Sequence, residues 1–290
     1  MNTIASAAPS VFRRVVDFPL SRLLLETAFV GVPVILLREI AFSVAGRSAA
    51  ACVLAGLAVV VASCLWYVAY ARWIARRDAD ELPLRTGLRE LGAGFGIGGG
   101  LCIVVALLLL AAGGIAISAT GDGAGMVIGF AFALAAGVVE EILLRGIVFR
   151  NLEALCGSWF ALAFSAALFG ALHLANPHAS VAGALSIALQ AGILLGAAYM
   201  ATRSLWWPIG IHIGWNFAEG GVLGVRVSGT DVPGWFHSVA QGPVWLSGGE
   251  FGIEASSVAT LVCLAAALAF LRRAWISGRF VTPLWRRNAR

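Results

Sequence analysis

Apolar residues occur in stretches of roughly 20 residues without the two-residue alternation of a half-buried strand, so the chain reads as spanning helices and not as a β-barrel. Eight spans are predicted, over about 27–46, 49–71, 91–118, from near Ala124 to the break at Cys156-Gly157-Ser158, and over about 158–174, 181–202, 206–217 and 253–271. Pro33 and the adjacent charges Arg38 and Glu39 make the first of them irregular. The expected architecture is an all-α polytopic transmembrane bundle at 23–271, preceded by a segment at 1–22 whose Phe12, Phe18 and Leu20 can lie on the membrane surface, and followed by a basic tail at 272–290.

Composition sharpens this picture. With 60% hydrophobic and 12% charged residues in 290, an ordinary soluble protein is excluded, and membrane lipid is the first partner. All 20 basic residues are Arg; the net charge of +5 could suggest nucleic acid, but the arginines sit beside the ends of apolar stretches. Their bias puts 72–89, 145–150, 203 and 272–290 on one side, read as cytoplasmic together with both termini, with Arg47 and Arg226 dissenting. No nucleic-acid partner is expected. The all-Arg composition points to a bacterial inner membrane. Cys52, Cys64, Cys102, Cys156 and Cys263 lack metal spacing and read as packing residues. Gly94-Phe95-Gly96-Ile97-Gly98-Gly99-Gly100 resembles a nucleotide loop only superficially, because no strand precedes it; close helix approach explains it better.

Candidate chemistry lies where charge enters apolar helix. Ionisable groups inside a span cost kilocalories unless they pair or face a wet cavity, so Glu140-Glu141 is a functional candidate. Glu141 and Arg145 stand four residues apart with the acid first, the favourable order for a helical ion pair, which leaves Glu140 on another face. Phe169 and His173, and His212 and Asn216, are likewise four apart and share faces. If the helices flanking Gly157 form a hairpin, Glu140 and His173 both lie roughly 16 residues from the turn, about 24 Å along each helix, and stand at one level. Arg145 and Arg150 are read as marking the cytoplasmic interface, which puts that level near the cytoplasmic side. A partly desolvated carboxylate near two imidazoles can take a proton from water. Alternatively His173, His212 and Glu140 or Glu141 hold a divalent metal such as Zn²⁺, with the other glutamate as base. The HExxH signature is absent, and both routes stay open.

Taken together, Glu140-Glu141-x-x-x-Arg145, Phe169-x-x-x-His173 and His212-x-x-x-Asn216 resemble the three motifs of the CAAX protease and bacteriocin-processing enzyme family over roughly 125–220; Gly248–Glu254 looks like a further family feature. The resemblance implies an intramembrane endopeptidase in which Glu140 activates water. His173 and His212 would bind or orient that water or a metal, Asn216 would stabilise the oxyanion, and Glu141 and Arg145 would form a structural pair. It implies a peptide or membrane-protein substrate cleaved near the cytoplasmic face. A non-catalytic immunity or scaffold protein of the same fold is the chief rival, and a proton-coupled transporter the third class. His178 and His237 read as loop residues, Glu219 as at most a neighbour of the site, and Trp206, Trp207, Trp235 and Trp245 as interface anchors.

Overall fold

The computed structural model describes residues 11–287. Expectations falling on 1–10 and 288–290, and on the side chain of Phe12, lie outside the described residues. Among the described residues, seven helices are long and apolar enough to cross a membrane: α1 (Pro19–Ala45), α2 (Ala49–Ile74), α3 (Gly87–Ala111), α4 (Gly123–Cys156), α5 (Ser158–Ala175), α6 (Val181–Thr202) and, last in the chain, α8 (Ser257–Ile276). Between α6 and α8 lies α7, formed by Trp206–Asn216 and its continuation Phe217–Val222. This is the expected seventh span, continued to Val222. It runs through the protein interior, with residues from Pro208 to Trp215 buried, so its length is not matched to lipid.

Three boundaries differ from expectation for identifiable reasons. Helix α1 begins at Pro19, a residue suited to the first helical turn, and not near Thr27. Glu26 is buried inside it and satisfied by Arg150 Nη2 at 2.6 and 2.7 Å and by Asn151 Nδ2 at 2.6 Å. Helix α3 ends at Ala111, not Ser118, because Gly113 takes φ +71° and the chain turns into a strand. That strand, β1 (Ile115–Thr120), pairs antiparallel with β2 (Phe236–Ala240), so the all-α bundle carries a two-stranded ribbon at its arginine-poor end. Helix α8 begins at Ser257, capped by the Ser256 hydroxyl accepting from Ala259 N at 3.0 Å, and Ile253–Ala255 is a separate turn.

Two features fix the bundle. The glycine-rich face of α3 lies directly on α7: a Cβ at Gly94 would meet backbone of Trp207 and Ile211, one at Gly98 the backbone of Ile211, and one at Gly214 the backbone of Phe95 and Gly99. Small residues allow this approach, as the sequence suggests. At the arginine-rich end, Glu81 of the α2–α3 loop is buried, accepts from Arg77 at 2.8 Å and from the Tyr67 hydroxyl, and lies 3.8 Å from Arg150. Burial pushes the Glu81 carboxyl up, but Arg77 and Arg150 outweigh it and hold the group below the usual carboxylate range. Arg150 therefore belongs to a protein-internal network at that end, and Arg145 is wholly buried, so protein partners hold both.

Gly98→Val should prevent the purified protein from running as a single folded species in size-exclusion chromatography. Gly100→Val, where nothing lies within 4 Å, should behave as the unmodified protein does.

Candidate active site

Helix α4 changes character at the acidic pair. It is α-helical to Glu141 and then widens into a π-helical stretch over Ile142–Phe149, a feature frequent at functional sites. Consecutive helical residues point about 100° apart. The two carboxylates accordingly face different surroundings.

Glu141 is wholly buried, and its Oε1 accepts from Arg145 Nη1 at 2.9 Å and from His212 Nδ1 at 3.0 Å. Arg145 donates onward to the Gly192 carbonyl on α6 at 3.0 Å and lies with its guanidinium carbon 5.0 Å from the Phe169 ring centroid on α5. The predicted ion pair is present, and it does more than the sequence reading assigned to it: it also holds His212. Because the Nδ1–H of His212 is donated to a carboxylate, its tautomer and ring plane are fixed and Nε2 is the atom left over.

Glu140 is 22% exposed and lies 3.5 Å from Arg38 Nη1 through Oε1 and 3.9 Å from His212 Nε2 through Oε2. Both separations exceed the 2.7–2.9 Å of a good charge-assisted hydrogen bond, so its lone pairs remain available. His173 ends the α-helical part of α5, and its Nδ1 lies 2.7 Å from the Phe169 carbonyl, one of the oxygens a helix end leaves open. A carbonyl can only accept, so Nδ1 carries the proton and Nε2 has no hydrogen-bond partner among the described residues. Phe169 stands between the histidines, edge-on to each, with ring centroids 4.7 Å from His173 and 5.9 Å from His212. Asn216, half-buried on α7, has no hydrogen-bond partner among the described residues.

Glu140, His173, His212 and Asn216 all line one cavity of about 440 Å³. Arg38 and Glu39 of α1 and Gln190 of α6 also line it, as do Asn176, Ser228 and Glu254 from the connections between helices. Those connections, which follow α5 and α7, lie at the arginine-poor end. The cavity thus reaches from the acidic pair on α4 to the connections at the arginine-poor end. The opening lined by Arg38 and Glu39 could be traced in sequence only as an odd pair of charges in the first span. Gln190 left a fainter signal, a single amide in an apolar helix.

Glu141 already serves Arg145 and His212, and among the described residues no group of three or more His, Cys, Asp or Glu is arranged to hold an ion. As arranged, the described residues do not fit a chelate. The remaining candidates lie apart. Glu219 accepts from Trp215 Nε1 at 2.8 Å, buried beside Glu254 rather than in contact with Asn216. His178 is half-buried, 3.5 Å from Glu250, and His237 is exposed on β2.

Residues 122–218 match the family model described as Type II CAAX prenyl endopeptidase Rce1-like. The match holds the Glu140-Glu141 motif, His173, His212 and Asn216, and leaves out α1 with Arg38 and Glu39. No curated protein and no solved structure matches the chain.

Glu141→Gln leaves the buried Arg145 without its counter-ion and should lower stability by about 3–5 kcal/mol. Thermal melting of the purified protein checks this. The double variant Glu141→Gln/Arg145→Met, which removes both charges, should recover most of the loss.

Proposed function

We propose that this chain is an intramembrane endopeptidase that hydrolyses a peptide bond with water activated by Glu140. The observation that carries the reading is the Glu140 carboxylate, left without a short hydrogen bond on a cavity wall that also presents His173, His212 and Asn216. The family match over 122–218 supports the same reaction class.

Each residue has a task that follows from its surroundings. Glu140 removes a proton from a water in the cavity, and the hydroxide attacks the scissile carbonyl carbon. The unengaged Nε2 of His173 orients that water. As the tetrahedral intermediate forms, negative charge moves to the former carbonyl oxygen, where the Asn216 amide donates a hydrogen bond; such a positioned donor is worth about 3–4 kcal/mol. His212, fixed by Glu141, turns Nε2 to the same space. The C–N bond then breaks as Glu140 returns its proton to the leaving amine, so proton and charge balance without a further reactant. The Phe169 ring keeps the two imidazoles apart.

The substrate is read as a peptide or membrane protein that enters from the bilayer. The reading extends to an integral protein of a bacterial inner membrane whose arginine-rich end is cytoplasmic, supported by the distribution of arginine alone.

Glu140→Gln should abolish cleavage while the protein keeps its melting temperature, and a comparison of membrane proteomes from cells with and without this variant reads the outcome. Full cleavage by the variant removes the assignment; a cellular phenotype retained without cleavage favours a scaffold. Asn216→Ala should lower kcat by about 10²–10³.

The proposed chemistry uses protein groups only. Cleavage by the purified protein should therefore survive chelation, with metal content checked by elemental analysis; loss of activity restored by Zn²⁺ would require a metal at His173 and His212.

A further inference from the structure

Gln190 belongs to none of the motifs, yet it brings a further polar side chain to the cavity. It is 1% exposed, lines the same cavity as Glu140 and His212, and has no hydrogen-bond partner among the described residues. A buried amide left without partners costs about 1–3 kcal/mol, so a protein keeps one only where something else satisfies it.

Its placement is not a loose rotamer on an ordinary helix. Residues Ala188–Gly192 form a π-helical turn inside α6, and such turns are frequent at functional sites. Two contacts fix the turn. Arg145 donates to the Gly192 carbonyl at 3.0 Å, and Gly192 lies so close to α5 that a Cβ there would stand 2.8 Å from Ala166 Cα. The ion pair that holds His212 therefore also braces the turn that carries Gln190.

We propose that Gln190 binds the main chain of the peptide substrate, its Nε2–H donating to a backbone carbonyl and its Oε1 accepting from a backbone N–H next to the scissile bond. A primary amide offers one acceptor oxygen and two donors, the same functions as a peptide unit. A charged side chain in this position would select a charged substrate; a neutral amide recognises any extended peptide without regard to its side chains. The inference rests on the endopeptidase reading and identifies how that site holds its substrate.

The full-length protein in phosphatidylcholine liposomes, with internally quenched, acyl-anchored peptides, provides the test. Gln190→Met should raise KM for a cleaved peptide about tenfold and leave kcat within about threefold, as loss of a ground-state contact does. Replacing single amides of that peptide by esters should weaken the unmodified protein at one position beside the scissile bond and have no added effect there in Gln190→Met. Binding is read separately in Glu140→Gln, where anisotropy of the labelled peptide should show about tenfold weaker Kd when Gln190→Met is added. Unchanged KM and Kd overturn the proposal and leave Gln190 holding cavity water. A fall in kcat at constant KM overturns it as well, making Gln190 a transition-state donor. Should Gln190→Met not fold, Gln190→Asn retracts the amide by one methylene, and the same criteria apply. Cleavage by Glu140→Gln would refute the hydrolytic reading, while the binding measurement would still decide on Gln190.

Discussion

A single buried ion pair organises the site. Glu141 and Arg145 are both inaccessible to solvent and lie 2.9 Å apart. Two bare charges at that depth would cost several kilocalories each, and their mutual attraction offsets this only if the remaining donors and acceptors are used. The further partners meet that condition in part: Glu141 takes the His212 Nδ1–H from α7, and Arg145 gives a hydrogen bond to the Gly192 carbonyl of α6 and stacks over Phe169 of α5, while Glu141 Oε2 and Arg145 Nε have no hydrogen-bond partner among the described residues. One pair on α4 thereby fixes three neighbouring helices. Glu140, one residue earlier, is set free to face the cavity.

The division of labour between adjacent glutamates rests on satisfaction of hydrogen bonds. Glu141 makes two contacts near 3 Å and is spent as an orienting group. Glu140 makes only long contacts, at 3.5 and 3.9 Å. A carboxylate held tightly would be a poor base, since every strong donor stabilises the charged form at the expense of proton uptake. Arg38 and His212 are near enough to keep Glu140 in place and too far to use up its lone pairs.

Much of this was readable in the chain because it depends on local periodicity. The i,i+4 spacing of Glu141 and Arg145 predicted their pairing, the break at Gly157 predicted the α4–α5 hairpin, and the glycines of 94–100 predicted the close approach that α3 makes to α7. Long-range partners were not readable. Nothing in the spacing of Glu26, Arg150 and Asn151 shows that residues more than a hundred positions apart will neutralise one another. Arg38 shows the same limit: its sequence neighbour Glu39 looked like its partner, whereas it stands equally far, at 3.5 Å, from Glu140. The ribbon of β1 and β2 joins segments on opposite sides of four helices in the chain, which no local pattern reports.

The π-helical turns explain why periodicity fails near the chemistry in particular. Three of them adjoin the cavity: Ile142–Phe149 follows the two glutamates, Ala188–Gly192 carries Gln190, and Phe217–Val222 follows Asn216. Each widened turn inserts a residue relative to an α-helix and rotates what comes after it by about 100°. A helix wheel drawn from sequence keeps its phase up to such a turn and loses it beyond. It still pairs Glu141 with Arg145, whose four-residue separation crosses only the start of such a stretch, but gives no account of Gln190. The backbone carbonyls that a π-turn frees from regular pairing are also acceptors available to side chains, and Gly192 uses one for Arg145. Irregular backbone at membrane depth is tolerated where protein or a wet cavity surrounds it. In this bundle three such turns meet at one cavity with the unpartnered side chains of Gln190 and Asn216, because that cavity provides surroundings that the lipid-facing helix surfaces do not offer.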